Sequence, residues 1–286
     1  MNNLKVIYDF GANNGDDIPY YLKKADLVIA VEANPILVRH IEKRFIDEIN
    51  EGKLVVLNCV LTKEQFTTNV PFYIHKTNHV LSQFPRPNDC ELEFFDTVFL
   101  PPRKASEIIK KYGAPFYLKI DIEGYDQAIL EDIFSSNIKP EFISAESHNS
   151  DVFALLVGKY KSFKLVDGHS VSSQYENHVI KTKLGEENYS FPFHSAGPFG
   201  EDIKGTWFTA NNFFYLLAEQ KLGWKDIHAT NTVEPDLDSS LNLNLFGPPK
   251  NLRHELVALC PRFLYNILKG IRDCSRTIYK LLKHGN

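Results

Sequence analysis

Apolar and β-prone residues cluster in short runs along the first half of the chain, at 6–10, 27–31, 54–61, 116–120 and 141–149. Runs of this length bounded by turn residues predict buried strands. Stretches of helical period lie between them. Behind Asn34-Pro35, the positions Ile36, Leu37, Val38, Ile41, Phe45 and Ile49 recur at helical spacing, so that dipeptide reads as a helix start and Gly52 as its stop. Asp16 or Asp17 is placed to cap an earlier helix, with Pro19 in its first turn. Further helices are expected near 104–112, 126–134, 152–160 and 212–222, and short strands near 72–74 and 163–166. Strands alternating with helices predict an α/β domain built on a mainly parallel sheet. Two regions resist this pattern. Residues 75–100 are polar and rich in Pro and Phe, which suits a lid or substrate loop. Residues 226–250 lack periodicity and read as a linker that ends a domain spanning 1–225.

The first strand carries the earliest chemical signal. Val6-Ile7-Tyr8-Asp9-Phe10-Gly11-Ala12-Asn13-Asn14-Gly15 reads as strand, tight turn and helix entry. Glycine serves where the backbone takes positive φ or must approach a ligand. The second strand ends at Glu32, one βαβ crossover later, where an acid can accept the hydroxyls of a ribose. The glycine spacing is not that of dinucleotide binders, and the loop has no Lys to hold a triphosphate. A nucleoside cofactor without phosphates, S-adenosylmethionine, fits these features. A strand–turn–helix with no ligand is the plain alternative.

Two later strand ends add acids and a histidine. Phe116-Tyr117-Leu118-Lys119-Ile120-Asp121-Ile122-Glu123-Gly124 ends beside the first strand, so Asp121 and Glu123 are expected at the same cleft as Asp9. Glu123 reads equally as a cap of the next helix. In the run ending Glu146-Ser147-His148, alternation puts Glu146 and His148 on one face and Ser147 on the other. His148 is either a site residue or a surface loop histidine. The segment 191–202, with His194, Ser195, Glu201 and Asp202 around Gly197-Pro198-Phe199-Gly200, either shapes a pocket or forms a solvated connection.

Composition narrows the classes. The 286 residues carry a formal charge of −4, which gives no field for nucleic acid, and nucleic-acid binding is not expected. The four cysteines form no metal or redox spacing and suit free thiols in a reducing compartment. With no signal peptide and no run of transmembrane length, a cytoplasmic protein is expected. The segment 251–286 changes character. Leu256, Leu259, Phe263, Ile267, Ile271 and Ile278 fall near helical spacing among Arg and Lys residues, predicting a basic amphipathic helical tail. Such a tail lies on an anionic membrane surface, docks on a partner, or packs on its own domain.

Together the motifs Asp9 to Asp16, Val31-Glu32-Ala33-Asn34-Pro35 and Leu118-Lys119-Ile120-Asp121-Ile122-Glu123-Gly124-Tyr125-Asp126 resemble the FkbM family of S-adenosylmethionine-dependent methyltransferases. The third is close to that family's Lys-Ile-Asp-Val-Glu-Gly signature and departs from it at Asp126, where members usually carry Glu. The resemblance covers about 6–148. It implies a Rossmann-like class I methyltransferase fold: a seven-stranded, mostly parallel sheet with a reversed last strand and helices on both faces. It also implies O-methylation of a sugar, glycan or related natural product.

Carried over, Asp9, Gly11, Ala12, Asn13, Asn14 and Gly15 line the methionine moiety, and Glu32 holds the ribose. Ala33 and Asn34 lie near the adenosine, Asn58, Cys59 and Val60 flank the adenine, and Asp121 faces the methionyl amine or sulfonium. A hydroxyl acceptor needs a general base, for which His148, His194, Glu146 and Asp121 are candidates, the histidines being best matched in pKa. No metal ligand set is assigned, although Asp121, Glu123 and Glu146 offer an alternative in which a divalent cation acidifies the hydroxyl. The rival reading is a non-catalytic scaffold of the same fold that docks at a membrane or biosynthetic complex through its tail.

Overall fold

The computed structural model describes residues 4–237. The chain opens with β1 (Val6–Phe10), α1 (Ile18–Lys24), β2 (Leu27–Glu32), α2 (Pro35–Arg44), α3 (Ile46–Asn50) and β3 (Leu54–Asn58). A small appended unit follows: β4 (Val60–Thr62), β5 (Val70–His75), β6 (Phe95–Leu100) and β7 (Pro102–Lys104). Then come α4 (Ala105–Tyr112), β8 (Pro115–Ile120), α5 (Asp126–Ser135), β9 (Phe142–Ser147), α6 (Ser150–Val157) and β10 (Ser162–Asp167). The last elements are α7 (Val171–Gln174), β11 (His178–Thr182), β12 (Gly185–Tyr189), α8 (Ala210–Gln220) and β13 (Gly223–Thr230).

Seven strands form one sheet in the order β10-β13-β9-β8-β1-β2-β3. Its internal pairs are parallel except those of β13, which runs antiparallel to both β9 and β10. The order reverses between β1 and β8, and that switch point opens a crevice at the carboxyl ends of the strands. This is the Rossmann-like class I methyltransferase fold.

Strand alternation sorts the two faces. Tyr8, Phe10, Leu118, Ile120, Ile143 and Ala145 pack against residues of α4, α5, α6 and α8. Ile7, Tyr117 and Phe142 face the other way, where α1 and the segment 191–207 cover the sheet. Each fully buried aliphatic side chain contributes about 1.5–3 kcal/mol of transfer free energy. On the second face part of the cover is aromatic: Phe199 stacks on Tyr117 with ring centroids 3.9 Å apart.

Several expected boundaries move. The single helix expected from Pro35 breaks at Phe45 into α2 and α3. The strand expected over 54–61 breaks at Cys59, after which β4 leaves the main sheet to pair with β7. The segment 75–100 is the far part of an antiparallel hairpin, β5 with β6, carrying two short 3-10 turns. The polar stretch 167–189 holds the hairpin β11–β12.

The largest correction concerns the end of the domain. Residues from 226 open not as linker but as most of β13, which sits inside the sheet. Its polar residues Asp226, His228 and Thr230 are buried on one face, so it lacks the apolar run that marks its neighbours. A domain edge at 225 is therefore too early. The expected tail at 251–286, and the linker beyond 237, lie outside the described residues.

Candidate functional site

The turn after β1 is built by close approach. Gly11 holds φ +87°, and a Cβ placed there would lie 1.8 Å from the carbonyl oxygen of Asp121. No other residue fits against the end of β8 at that distance. The Gly11 and Ala12 N–H groups both donate to the Val31 carbonyl, at 2.9 and 3.0 Å, which ties the turn to β2. Asn13, also at positive φ, then turns its N–H toward β2.

Glu32, the last residue of β2, receives that donor. Its Oε2 accepts from Asn13 N at 2.8 Å and its Oε1 from Asn34 N at 2.7 Å. Asn58, at the end of β3, donates its Nδ2 to the Glu32 and Ala33 carbonyls at 3.0 and 2.9 Å. The carboxyl is thus held by backbone on both sides while still lining the crevice. Burial pushes it up to about 7, against the pull of the Asn34 and Asn13 amides and with a further push from Asp9. Asn34 also caps α2, its side chain accepting from Ile36 N at 3.0 Å.

Behind this turn runs a polar row that crosses the sheet. Asp9 pairs in register with Lys119, Lys119 with Ser144, Ser144 with His228, and His228 with Lys164. Lys119 is its centre. The ammonium lies 3.6 Å from Asp9 Oδ1, 4.0 Å from Asp17 Oδ2 and 3.3 Å from Asp121 Oδ2, and it is 3.4 Å from the Gly11 carbonyl. An isolated cation in a buried strand is stable only when so paired. Burial pushes Asp9 up to about 6, with Lys119 pulling down and Asp17 and Asp121 pushing up. Asp226, on β13 beyond β9, is held well above the carboxylate range by burial and then by Asp121.

Asp17 takes the N-cap position of α1 that the sequence suggested, but its side chain makes no capping hydrogen bond. Its carboxyl instead accepts from Ser195 Oγ and, at 3.1 Å, from Ala196 N. Tyr20 and Lys24 likewise reach Asp202, at 2.8 and 2.5 Å. These contacts lock the segment 191–202 onto α1, and His194 is carried to the crevice as a result.

The other end of the crevice is acidic and aromatic. His148 Nε2 lies 2.7 Å from Glu146 Oε2, and Ser147 turns the opposite way to donate to the Gly223 carbonyl. The His148 side chain is 34% exposed, so it can meet a substrate. The hydrogen bond with Glu146 raises His148 to about 9, against the effect of burial. Glu146 itself is raised by burial, although His148 pulls it down. Glu123, at φ +46°, is pushed up to about 8 by burial and then by Asp121 and Glu146. It does not cap α5, whose N-terminal flank is Tyr125.

The crevice has a volume of about 530 Å³. Of the residues singled out in the sequence, Gly11, Asn13, Asn14, Glu32, Ala33, Cys59, Val60, Asp121, Glu146, His148 and His194 line it. Asp9, Ala12, Gly15, Asn34 and Asn58 stand behind that lining and position it. Gly15 packs under Ile18, Ile41 and Phe45. The hairpin β5–β6 supplies a wall through His79, Leu81 and Phe84.

Sequence reasoning missed Lys119, Asp17, Asp226 and Trp224. A lysine inside the apolar run 116–120 was the available signal for the first; nothing local announced the other three. Among the described residues no group of three or more His, Cys, Asp or Glu is arranged to hold a metal ion, and no helix is long and apolar enough to cross a membrane.

A glycine turn, an acid at the tip of β2 and a crevice over the β1/β8 switch point define a class I methyltransferase site. The family model described as the methyltransferase FkbM domain matches residues 9–167. The chain belongs to that family, whose cofactor is S-adenosylmethionine. The Glu32 carboxyl, which lines the crevice at the tip of β2, has the acceptor chemistry that a ribose requires.

Among solved structures, a methyltransferase FkbM from Methylobacillus flagellatus KT is similar at 17% identity, over 51% of this chain and 33% of that one, with a TM-score of 0.34. This chain therefore spans about a third of that protein's length. A precorrin-6y C5,15-methyltransferase from Geobacter metallireducens GS-15 is similar at 10% identity, over 81% and 82% of the two chains, with a TM-score of 0.35. A spermidine synthase from Thermotoga maritima is similar at 9% identity, over 93% and 68%, with a TM-score of 0.35. No curated protein sequence matches the chain.

Proposed function

We propose that this protein transfers a methyl group from S-adenosylmethionine to a hydroxyl of a sugar, glycan or related natural product. The observation that carries the reading is the Glu146–His148 pair, 2.7 Å apart, on the crevice wall beyond the Glu32 tip. When bound, the cofactor supplies an electrophilic methyl on a sulfonium, and the acceptor oxygen takes that methyl as the carbon–sulfur bond breaks.

The chain's residues bind, orient and take the proton. Glu32 accepts from the ribose hydroxyls with the lone pairs left free by Asn13 and Asn34. Ala33, Cys59 and Val60 form a mainly apolar slot for the base, and Asp121 offers a carboxylate to the methionyl ammonium. Glu146 accepts from His148 Nε2–H, which leaves Nδ1 as the free nitrogen to receive the acceptor's hydroxyl proton.

Calorimetric titration with S-adenosylhomocysteine tests the cofactor half. Wild type is expected to bind and Glu32→Ala to bind at least about tenfold more weakly, the loss of a charged hydrogen-bond acceptor. Turnover with hydroxylated acceptors is then followed by S-adenosylhomocysteine release. Absence of binding by wild type would overturn the reading.

A further inference from the structure

Trp224 owes its position to an irregularity. On β13, Gly223 pairs with Ser147 and Asp226 with Glu146, so Trp224 and Lys225 are extruded between two adjacent positions of β9. Bulges of this kind re-aim side chains at the rims of sites. The indole then rests on Gly168, where an added Cβ would lie 2.4 Å from Trp224 Cε2. His169 meets it edge-on at 4.7 Å between ring centroids, and the His194 ring lies 6.0 Å away, tilted by 32°. The indole is half-buried and lines the crevice beside Glu146 and His148.

The polar groups around it are mostly carboxyls. Glu32, Asp121, Glu123 and Glu146 line the crevice, and among the described residues no lysine or arginine does. The nearest buried ammonium, Lys119, is committed to Asp9, Asp17 and Asp121. Asp126, 2% exposed, stands behind the same wall with no hydrogen-bond partner on either carboxyl oxygen, and Asp121 and Glu146 push it up in addition to burial. The cationic form of His148 is already paired with Glu146 at 2.7 Å, so a phosphate or carboxylate entering here would meet no uncommitted countercharge and would face a row of carboxyl groups in a partly desolvated site. A flat aromatic face bordered by hydrogen-bonding carboxyls instead matches a ring with apolar C–H faces and polar edges.

We propose that Trp224 is the platform on which the acceptor ring stacks, and that this end of the crevice admits neutral or amino-bearing rings while rejecting phosphorylated and carboxylated ones. The proposal rests on the methyltransferase reading and adds Trp224 as its specificity-determining residue.

The chain contains two tryptophans, and Trp207 is 7% exposed, so Trp207→Phe isolates the emission of Trp224. Should that variant fail to fold, subtracting the emission of Trp224→Phe from wild type gives the same signal. The protein is first loaded with S-adenosylhomocysteine, with binding checked by calorimetry. Caesium is expected to quench Trp224 more strongly than iodide at equal ionic strength. Methyl glucopyranoside and glucosamine are expected to shield Trp224 from acrylamide. Glucose 6-phosphate and glucuronate should need roughly tenfold more for the same shielding.

Iodide quenching as strong as caesium's, equal shielding by the anionic sugars, or no shielding by any sugar overturns the proposal. Failure to bind S-adenosylhomocysteine is seen separately in the calorimeter and strikes the methyltransferase reading itself.

Discussion

Replacing Lys119 with methionine removes the one ammonium that Asp9, Asp17 and Asp121 share, at 3.6, 4.0 and 3.3 Å. Methionine preserves much of the side chain's length and apolar stem, so the change is chiefly one of charge. At an effective dielectric of about 20, each contact near 4 Å is worth about 4 kcal/mol before desolvation. Most of that sum offsets the burial of the charges themselves. Deleting one partner of a buried pair, which strands the others, costs about 3–5 kcal/mol. That is a large share of the roughly 5–15 kcal/mol that holds a domain folded.

The loss carries a pH signature. Asp9 stands at about 6 in the folded protein against 3.8 unfolded, and Asp17 is raised too, both chiefly by burial. An acid raised on folding contributes stability that is fully present below its unfolded value and is lost as pH rises through its folded value. Without Lys119 these folded values climb further, so the loss extends to higher pH. Lys119 itself stays charged throughout this range, its folded value being raised well above the ordinary one by the carboxylates despite burial.

Urea unfolding of both proteins from about pH 4 to about pH 8 should show a deficit of about 3–5 kcal/mol at neutral pH. The deficit should shrink as the pH falls toward 3.8 and the orphaned carboxyls protonate in both states. Adding Asp9→Asn to Lys119→Met should return part of the loss at neutral pH. A deficit independent of pH, or none at neutral pH, refutes the reasoning.

Two further outcomes are expected. His148 sits at about 9 chiefly because Glu146 hydrogen-bonds it, so methyl transfer should rise with pH through that value, and Glu146→Gln should move the rising limb to lower pH. A limb that stays in place removes His148 as the base. Gly11→Ala forces an L residue to φ +87° and sets its Cβ 1.8 Å from the Asp121 carbonyl oxygen, which should cost at least about 3 kcal/mol and lower the urea midpoint at an unchanged slope. An unchanged midpoint shows that the β1 turn does not need glycine there.

How much of this was legible in the sequence depended on the range of the signal. Gly11, Asn13 and Glu32 belong to one crossover, and the turn, the strand tip and the helix start at Asn34-Pro35 follow from local chemistry. Glu146 and His148 were paired by alternation alone, and the structure brings them to 2.7 Å. Of the hairpin, the strand expected near 72–74 is β5, whereas β6 was unreadable because its residues are largely exposed or lean on one small cluster, leaving no clean period.

Local pattern also determined the class of fold, since alternating strands and helices leave few ways to bury their apolar faces. Contacts between distant residues were beyond its reach. Asp17 was a plausible cap until Ser195, remote in the chain, claimed its carboxyl. The segment from 226 looked like linker because its polar residues Asp226, His228 and Thr230 become buried only when β13 is inserted between β9 and β10. Trp224 gained a role only when Gly168 and a bulge placed its ring at the crevice. Sequence by itself specified the elements and the cofactor turn, because those depend on neighbouring residues. Tertiary structure alone decided the charge balance and the crevice wall at Trp224, because both arise where separate strands and loops bring distant residues side by side.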